Sequence, residues 1–280
     1  MSCARSRTAP GSAARRCSGG SSEGSGWSGR RKAGSRRWTP ATARISPAER
    51  AFRSNPCGER KIAEGFARTG IPGTREERES VEKRVASWEK LRQDTLKRLG
   101  PEAVFGEGSP DARVAIVGEA PGYNEVRQGR PFVGRAGKLL DELLAQSGIE
   151  REEVYITNVV KIRPTREKGG RTSNRPPRVG EIREGMEALL KELELIEPEV
   201  LILLGNTPAR ALVGKSFAMT KHRGTLFRSV TGTPAVATFH PAYLLRQEGE
   251  DYRRVRRLVL EDLAAARRAL EEEPELHELE

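Results

Sequence analysis

The chain has 280 residues, of which 36% are hydrophobic and 32% are charged, and its net charge is +11 at pH 7. Residues 1–70 contain 15 Lys and Arg against 4 Asp and Glu, so they carry the whole excess, and the other residues balance at 35 against 35. No stretch approaches the ~18 apolar residues of a membrane span, and none has the apolar core of a secretory signal. This excludes an integral membrane protein and predicts a cytoplasmic one.

The first 75 residues have the composition of a disordered basic tail. They are rich in Ser, Gly, Ala and Arg and show no apolar period. Two interpretations stay open, an arm that binds polyanions and a segment without a structural role. All three cysteines, Cys3, Cys17 and Cys57, fall here, at spacings that match neither a disulfide framework nor a C-x-x-C metal site.

Periodic apolar segments predict one folded domain over residues 76–273. An amphipathic helix over residues 76–99, with Trp88 and Leu91 on its apolar face, ends at Gly100. Strands are then predicted at 113–117, 154–160, 200–204, 225–228 and 235–239, and helices at 134–147, 180–195, 207–213 and 251–272. This alternation predicts an α/β fold, a three-layer α/β/α sandwich with a central, mainly parallel sheet. Residues 274–280 are predicted to form an acidic C-terminal tail.

Three segments follow the carboxyl ends of these strands, where α/β sheets bind their ligands. They are residues 118–136, residues 161–178 and the segment that begins at His240. The first reads GEAPGYNEVRQGRPFVGRA. It has neither the Lys-Ser or Lys-Thr pair of a P-loop nor the G-x-G-x-x-G spacing of a dinucleotide fingerprint. The loop is therefore predicted to bind another kind of ligand.

The first loop supplies three candidate site residues. Glu119 is the carboxylate next to the strand end, Glu125 follows six residues later, and Phe132 lies inside GRPFVG. Taken alone, Glu119 is better explained as a helix-capping acid, and Phe132 as a packing residue. Asn158 favours a site, because it falls inside an apolar strand, where a buried amide must find partners or cost a few kcal/mol. Its side chain can read one edge of a planar amide ring.

The last loop adds a histidine and a short apolar and cationic segment. His240 follows AVATF, at a position where an imidazole can stabilise a developing oxyanion. The next residues, Tyr243, Leu244, Leu245 and Arg246, place apolar side chains beside a cation, which suits entry into a base stack. The structural alternative for His240 is a packed histidine, and the alternative for the segment 243–246 is the first turn of a helix on the sheet.

Five motifs in this order resemble those of the family 4 uracil-DNA glycosylases of bacteria and archaea: GEAPGYNE, GRPFVGRAG, VYITNVVK, NRPP and HPAYLLR. The resemblance covers about residues 80–270. It implies that Phe132 stacks on an extruded uracil, that Asn158 hydrogen-bonds the polar edge of that base and that His240 stabilises its O2. Two possibilities stay open for activation of the attacking water: the carboxylate of Glu119 activates it, or the water is held by the backbone.

The resemblance also implies roles for the residues around this centre. Glu119 and Glu125 would belong to the catalytic loop at the attacked sugar carbon, and the backbone of Gly118 and Ala120 would face the uracil. The remaining residues implied to contact DNA are Asn174, Arg175, Tyr243, Leu244, Leu245 and Arg246.

The sequence departs from the family in two places. Members generally hold a four-iron four-sulphur cluster with four cysteines, but the corresponding positions here read WEKLRQDT, Ile162 and about Gly185. We therefore expect no cofactor, no metal and no iron in the purified protein. The loop TREKGGRTSNRPP is longer than in the simplest members and resembles a subgroup whose loop histidine traps the sugar covalently; this loop has no histidine.

These observations predict a monofunctional uracil-DNA glycosylase, a monomer that hydrolyses the bond at the deoxyribose C1′ in double- or single-stranded DNA and leaves an abasic site. This reaction needs extrusion of the base from the helix and an aromatic ring that stacks on it. It also needs a side chain that hydrogen-bonds the polar edge of the base, and stabilisation of the leaving anion. Two alternatives stay open, a glycosylase for another deaminated base such as hypoxanthine, and a non-catalytic protein that binds DNA lesions.

Overall fold

The computed structural model describes residues 75–279, with side chains from Glu82 onward. The predicted basic tail and its three cysteines lie outside the described residues, apart from Arg75. The helices are α1 (Arg75–Leu99), α2 (Tyr123–Gln128), α3 (Arg135–Gln146), α4 (Val179–Ile196), α5 (Asn206–Leu212), α6 (Met219–His222), α7 (Pro241–Leu244) and α8 (Gly249–Arg268). The strands are β1 (Glu107–Gly108), β2 (Val114–Gly118), β3 (Val154–Asn158), β4 (Thr165–Lys168), β5 (Arg171–Asn174), β6 (Val200–Leu204), β7 (Leu226–Arg228) and β8 (Pro234–Thr238).

Six strands form the central sheet in the order β1-β3-β2-β6-β8-β7. The four inner strands are parallel, and the short edge strands β1 and β7 pair with them antiparallel. The inner strands are nearly continuous apolar runs because both faces of the sheet are covered. This confirms the predicted mainly parallel sheet.

The two faces of the sheet carry separate apolar layers. On β2, Val114 and Ile116 point into one layer, and Ala115 and Val117 point into the other. The first layer includes the leucines of α3 and the apolar face of α8, and the second includes residues of α4 and α5. The α/β/α arrangement predicted from the sequence is therefore confirmed.

The first helix packs beside this sandwich and closes a small third cluster. Trp88 meets Phe105 edge to face, with ring centroids 6.1 Å apart, and Ala103 completes the buried set. Helix α1 ends where predicted, at Gly100, whose φ of 94° lies in the left-handed region that glycine tolerates.

The segment predicted as an acidic C-terminal tail makes backbone contacts with the edge of the sheet. His277 donates its backbone N–H to the Leu226 carbonyl at 2.9 Å and accepts from the Arg228 N–H at 3.2 Å, and Leu279 packs on the second apolar layer. Residues 277–279 thus cover the unpaired edge of β7, because an open strand edge otherwise exposes its backbone groups. Among the described residues, no helix has the length and apolarity that crossing a membrane requires.

Candidate active site

The predicted site residues meet at the carboxyl edge of the sheet. β2 ends at Gly118 and β3 at Asn158, which are partners in the parallel ladder. His240 follows β8 after one residue, and its Cβ lies 3.4 Å from the position that a β-carbon on Gly205 would occupy. The topology of the sheet therefore brings together three segments that are up to 120 residues apart.

Gly118 lies between the side chains of Asn158 and Phe132, and the space that these residues border together with His240 is called the pocket below. A β-carbon at this position would lie 2.4 Å from Oδ1 of Asn158 and 2.5 Å from Cζ of Phe132. Both distances are too short for any side chain, so only glycine lets the amide and the ring converge. Ala120, two residues on, is partly buried against the second apolar layer.

Asn158 is the most informative side chain of the pocket. It is 2% exposed, and its Oδ1 has no hydrogen-bond partner among the described residues. An unsatisfied buried acceptor costs about 1–3 kcal/mol, so such an atom in a cavity indicates a ligand that donates to it. The amide is thus positioned to accept an N–H from a planar ring.

His240 faces the other side of the same space. Its ring stacks on Phe132 with centroids 5.7 Å apart and an interplanar angle of 29°. Burial, with a further contribution from the positive charge of Arg246, lowers the pKa of His240 to about 4. Its Nδ1 accepts the backbone N–H of Ala242 at 3.0 Å, so in the neutral ring the proton is on Nε2. The imidazole is therefore a neutral hydrogen-bond donor at pH 7.

The ring of Phe132 is held by an unusual backbone conformation. Phe132 has φ of 52°, in the left-handed region, which is costly for an aromatic residue and persists where neighbouring contacts fix it. On one side, Arg151 donates to the Pro131 carbonyl at 3.1 Å, and Glu107 holds Arg151 at 2.9 Å and Arg130 at 2.6 Å. Sequence reasoning missed this ion-pair cluster, because its members come from three separate segments.

Glu125 holds the other side of the same turn. Its Oε1 accepts the backbone N–H groups of Val133 at 3.1 Å and Gly134 at 2.8 Å, and its Oε2 accepts that of Gly122 at 3.1 Å. The carboxylate closes the loop on itself and also caps the first turn of α2. This geometry favours a role in shaping the pocket over the predicted role in the reaction.

We therefore expect Glu125→Gln to destabilise the fold by about 1–3 kcal/mol, because an amide nitrogen then faces a backbone donor. Urea unfolding of the full chain measures this. Glu142→Gln is a matched control on exposed α3 surface and is expected to leave stability unchanged. Unchanged stability of Glu125→Gln together with a large loss of catalytic rate would instead place this carboxylate in the chemistry.

Glu119 is the residue after β2; it is partly buried, and its Oε2 accepts the hydroxyl hydrogen of Thr207 on α5. Sequence reasoning missed Thr207. The signal was present, because Thr207 follows β6, and its position beyond the carboxyl end of a buried strand is where the other site residues were sought. This hydrogen bond restricts the position of the Glu119 carboxylate.

The segment 243–246 divides between surface and core. Tyr243 and Leu245 are each 37% exposed, and Arg246 lies over the Tyr243 ring with its Cζ 5.8 Å from the centroid. Leu244 is completely buried in the first apolar layer. The predicted DNA contact of Leu244 is wrong, because the short helix α7 turns this residue toward the sheet.

Asn174 and Arg175 also have different roles. Asn174 accepts a hydrogen bond from Arg163 at 2.7 Å and lies beside Gly122 of the site loop. Arg175 donates to both carboxylate oxygens of Glu181, at 2.7 and 2.5 Å, and to the Thr165 carbonyl at 3.0 Å. The hydrogen bonds from Arg175 to the carboxylate, helped by that from the Arg178 backbone, lower the pKa of Glu181 to about 2. The structure thus gives Arg175 an internal structural role, and its contact with DNA stays a prediction.

The positions that correspond to cluster ligands do not fit an iron–sulphur cluster. A β-carbon on Gly185 would lie 2.1 Å from the Val159 carbonyl oxygen, so α4 packs directly on the chain after β3 and leaves no room for a thiolate.

Nearby, the buried Lys161 ammonium donates to Glu192 and Thr157, each at 2.8 Å. Burial lowers the pKa of Lys161, and Glu192 opposes that shift. Within residues 75–279, no group of three His, Cys, Asp or Glu side chains could hold a metal. The absence of a cluster from the whole chain stays a prediction.

Direct packing predicts that Gly185→Ala destabilises the protein by about 1–3 kcal/mol through overpacking. Gly180→Ala, on the same helix with open space at its Cβ, is the matched control and is expected to stabilise by about 0.4–1 kcal/mol. Thermal unfolding of both variants measures the difference. Equal behaviour of the two would contradict the close contact of α4 with β3.

The chain is similar to known proteins over most of the residues described here. The Uracil DNA glycosylase superfamily matches the chain over residues 105–264. The type-4 uracil-DNA glycosylase of Thermotoga maritima is 45% identical over 171 residues, which make up 61% of this chain and 84% of that protein. Those of Sulfurisphaera tokodaii and Archaeoglobus fulgidus are 35% identical over 199 and 174 residues, 65% and 60% of this chain and 84% of each relative.

Proposed function

The chain belongs to the uracil-DNA glycosylase superfamily, and from this premise we propose that its pocket receives a uracil extruded from DNA. It is a DNA glycosylase of base excision repair, a hydrolase that acts on N-glycosyl bonds. The observation that carries the uracil assignment is the buried Oδ1 of Asn158, which has no partner among the described residues. The N3–H of uracil is a donor that matches it.

The other pocket residues complement the remaining groups of the base. The amide nitrogen of Asn158 donates to O4, and the ring of Phe132 supports one face of the uracil. The Nε2–H of neutral His240 donates to O2, where negative charge develops as the bond to the sugar breaks. Because the pKa of His240 is about 4, the leaving group is stabilised as an anion by hydrogen bonding, without transfer of a proton from this ring.

Water then attacks the C1′ of the deoxyribose. We place this water at the mouth of the pocket, between the loop backbone and Glu119, whose carboxylate is oriented by Thr207. The exposed side chains of Tyr243 and Leu245 are suited to occupying the gap that the extruded base leaves, with Arg246 beside them. All these residues come from one chain, so we propose a monomer, which light scattering should find at about 30.9 kDa.

The test is a glycosylase assay on oligonucleotides that contain uracil, hypoxanthine or xanthine, in single and double strands. We expect release of free uracil and an abasic site, without a covalent protein–DNA adduct. Release of hypoxanthine alone would shift the assignment to another deaminated base. Tight binding to uracil-containing DNA without release of any base would instead favour a non-catalytic lesion-binding protein.

A further inference from the structure

The segment predicted as a long loop after β3 is a hairpin that stands outside the sandwich. β4 and β5 pair antiparallel in the register Thr165↔Asn174 to Lys168↔Arg171, and every residue of both strands is exposed. Gly169 and Gly170 form the turn with φ of 58° and 72°, the conformation of a two-residue hairpin loop. The side chains of this hairpin are therefore available to a binding partner.

The cations of this hairpin are sorted onto one face. Residues paired across an antiparallel ladder share a face, and neighbours along a strand alternate. Arg166, Lys168 and Arg171 therefore lie on one face together with Ser173, whose Oγ accepts from Arg166 at 3.2 Å. The single acidic residue of the hairpin, Glu167, lies on the opposite face, so it does not interrupt the cationic row.

The base of the hairpin is fixed beside the active site. Asn174 accepts from Arg163, whose guanidinium lies 5.3 Å from the centroid of the Tyr123 ring at the start of α2. Arg175 anchors the end of β5 to the Thr165 carbonyl and to Glu181 on α4. The hairpin thus projects from a defined point next to the pocket, with a reach of about 14 Å for four extended residues.

The charge distribution of the chain explains why the cationic face of the hairpin matters for attraction to DNA. Residues after position 70 carry equal numbers of basic and acidic side chains, so the net charge of the folded part does not attract DNA. Within residues 71–280, attraction to a phosphate backbone therefore comes from local concentrations of cations. Arg166 and Lys168 are spaced by about 6.8 Å along β4, and Arg171 stands across from Lys168.

We propose that the cationic face of the hairpin, formed by Arg166, Lys168 and Arg171, binds backbone phosphates of the DNA strand that flanks the extruded nucleotide. The proposal rests on the proposed function, since it takes DNA as the substrate. These contacts are to phosphates and not to bases, so they strengthen binding of any sequence and carry the salt dependence of that binding.

The test compares the full chain with its Arg166→Gln/Lys168→Gln/Arg171→Gln variant. The probe is a duplex with a stable abasic-site analogue, and its affinity is measured over a range of salt concentrations. Loss of three phosphate contacts should reduce the slope of log K against log salt by about 2.7. The advantage of the parent chain over the variant should then shrink about 40-fold between about 50 and about 200 mM salt.

The matched control is Lys83→Gln/Arg267→Gln/Arg268→Gln, which removes three exposed cations from α1 and α8. This control should keep the parental slope, and thermal unfolding should confirm that both variants are folded. Equal slopes for the hairpin variant and the parent chain would overturn the proposal. Because the probe contains no uracil, the comparison stays valid even if the parent chain released no base, so the two proposals fail separately.

Discussion

Replacing His240 by asparagine is expected to slow uracil excision by about 100- to 1,000-fold while leaving the fold intact. The asparagine side chain can still accept the Ala242 N–H, and asparagine is a favoured residue at the start of a helix, so α7 keeps its cap. What it lacks is a donor at the place of Nε2. The measurement is the single-turnover rate at saturating enzyme, together with the midpoint of thermal unfolding.

His240→Gln provides the matched comparison, because its amide nitrogen reaches the place of Nε2 and should restore part of the rate. A rate for His240→Asn within about threefold of the parent chain would contradict the oxyanion role. The protonation state can be examined directly by NMR of the histidine ring nitrogens. Since the pKa is lowered from 6.5 to about 4, the ring should stay neutral with its proton on Nε2 down to about pH 5. A midpoint near the ordinary value would contradict the neutral donor.

Asn158→Ala is expected to reduce uracil excision by roughly 2–4 kcal/mol of transition-state stabilisation, or about thirtyfold to a thousandfold. The reason is that the N3–H and O4 groups of the bound uracil would lose their hydrogen-bond partners in this variant. Asn158→Asp should move the preference toward cytosine, because a carboxylate accepts from the exocyclic amine of cytosine. Excision from matched uracil and cytosine oligonucleotides measures both effects.

Binding to abasic product DNA separates base recognition from damage to the fold. Both Asn158 variants should retain the parental affinity for that product, since no base occupies the pocket. If Asn158→Ala released uracil at the parental rate, the assigned reading edge would be wrong. If it lost product binding as well, the defect would lie in the DNA surface and not in the base pocket.

Much of this architecture was predictable because buried parallel strands leave a strong sequence signal. The apolar runs of β2, β3 and β6 are covered on both faces, and Asn158 was conspicuous as a polar side chain inside such a run. The rule for strand ends then grouped Gly118, Asn158 and His240 correctly. The bounds differ mainly at the ends, where β3 stops at Asn158 and α8 spans Gly249–Arg268.

The remaining features depend on contacts that a single sequence does not show. The hairpin of β4 and β5 is exposed on both faces, so it has no apolar alternation, and only its Gly-Gly pair indicated a turn. Two adjacent leucines do not reveal which one faces inward; the short helix α7 buries Leu244 and leaves Leu245 partly exposed. The roles of Glu125 and Arg175 follow from hydrogen bonds to backbone groups, which carry no residue signature.

The turn at Phe132, which is held on both sides, affects which molecule bears the energetic cost of base recognition. Because Arg151 and Glu125 fix the peptides on both sides of this residue, the pocket is preorganised before DNA arrives, and little conformational entropy remains for binding to remove. The energetic cost of capture then falls on the DNA, which must give up stacking and pairing. On the proposed function, we therefore expect faster release of a uracil that is mispaired with guanine or already single-stranded, because such a base leaves its helix at a lower cost.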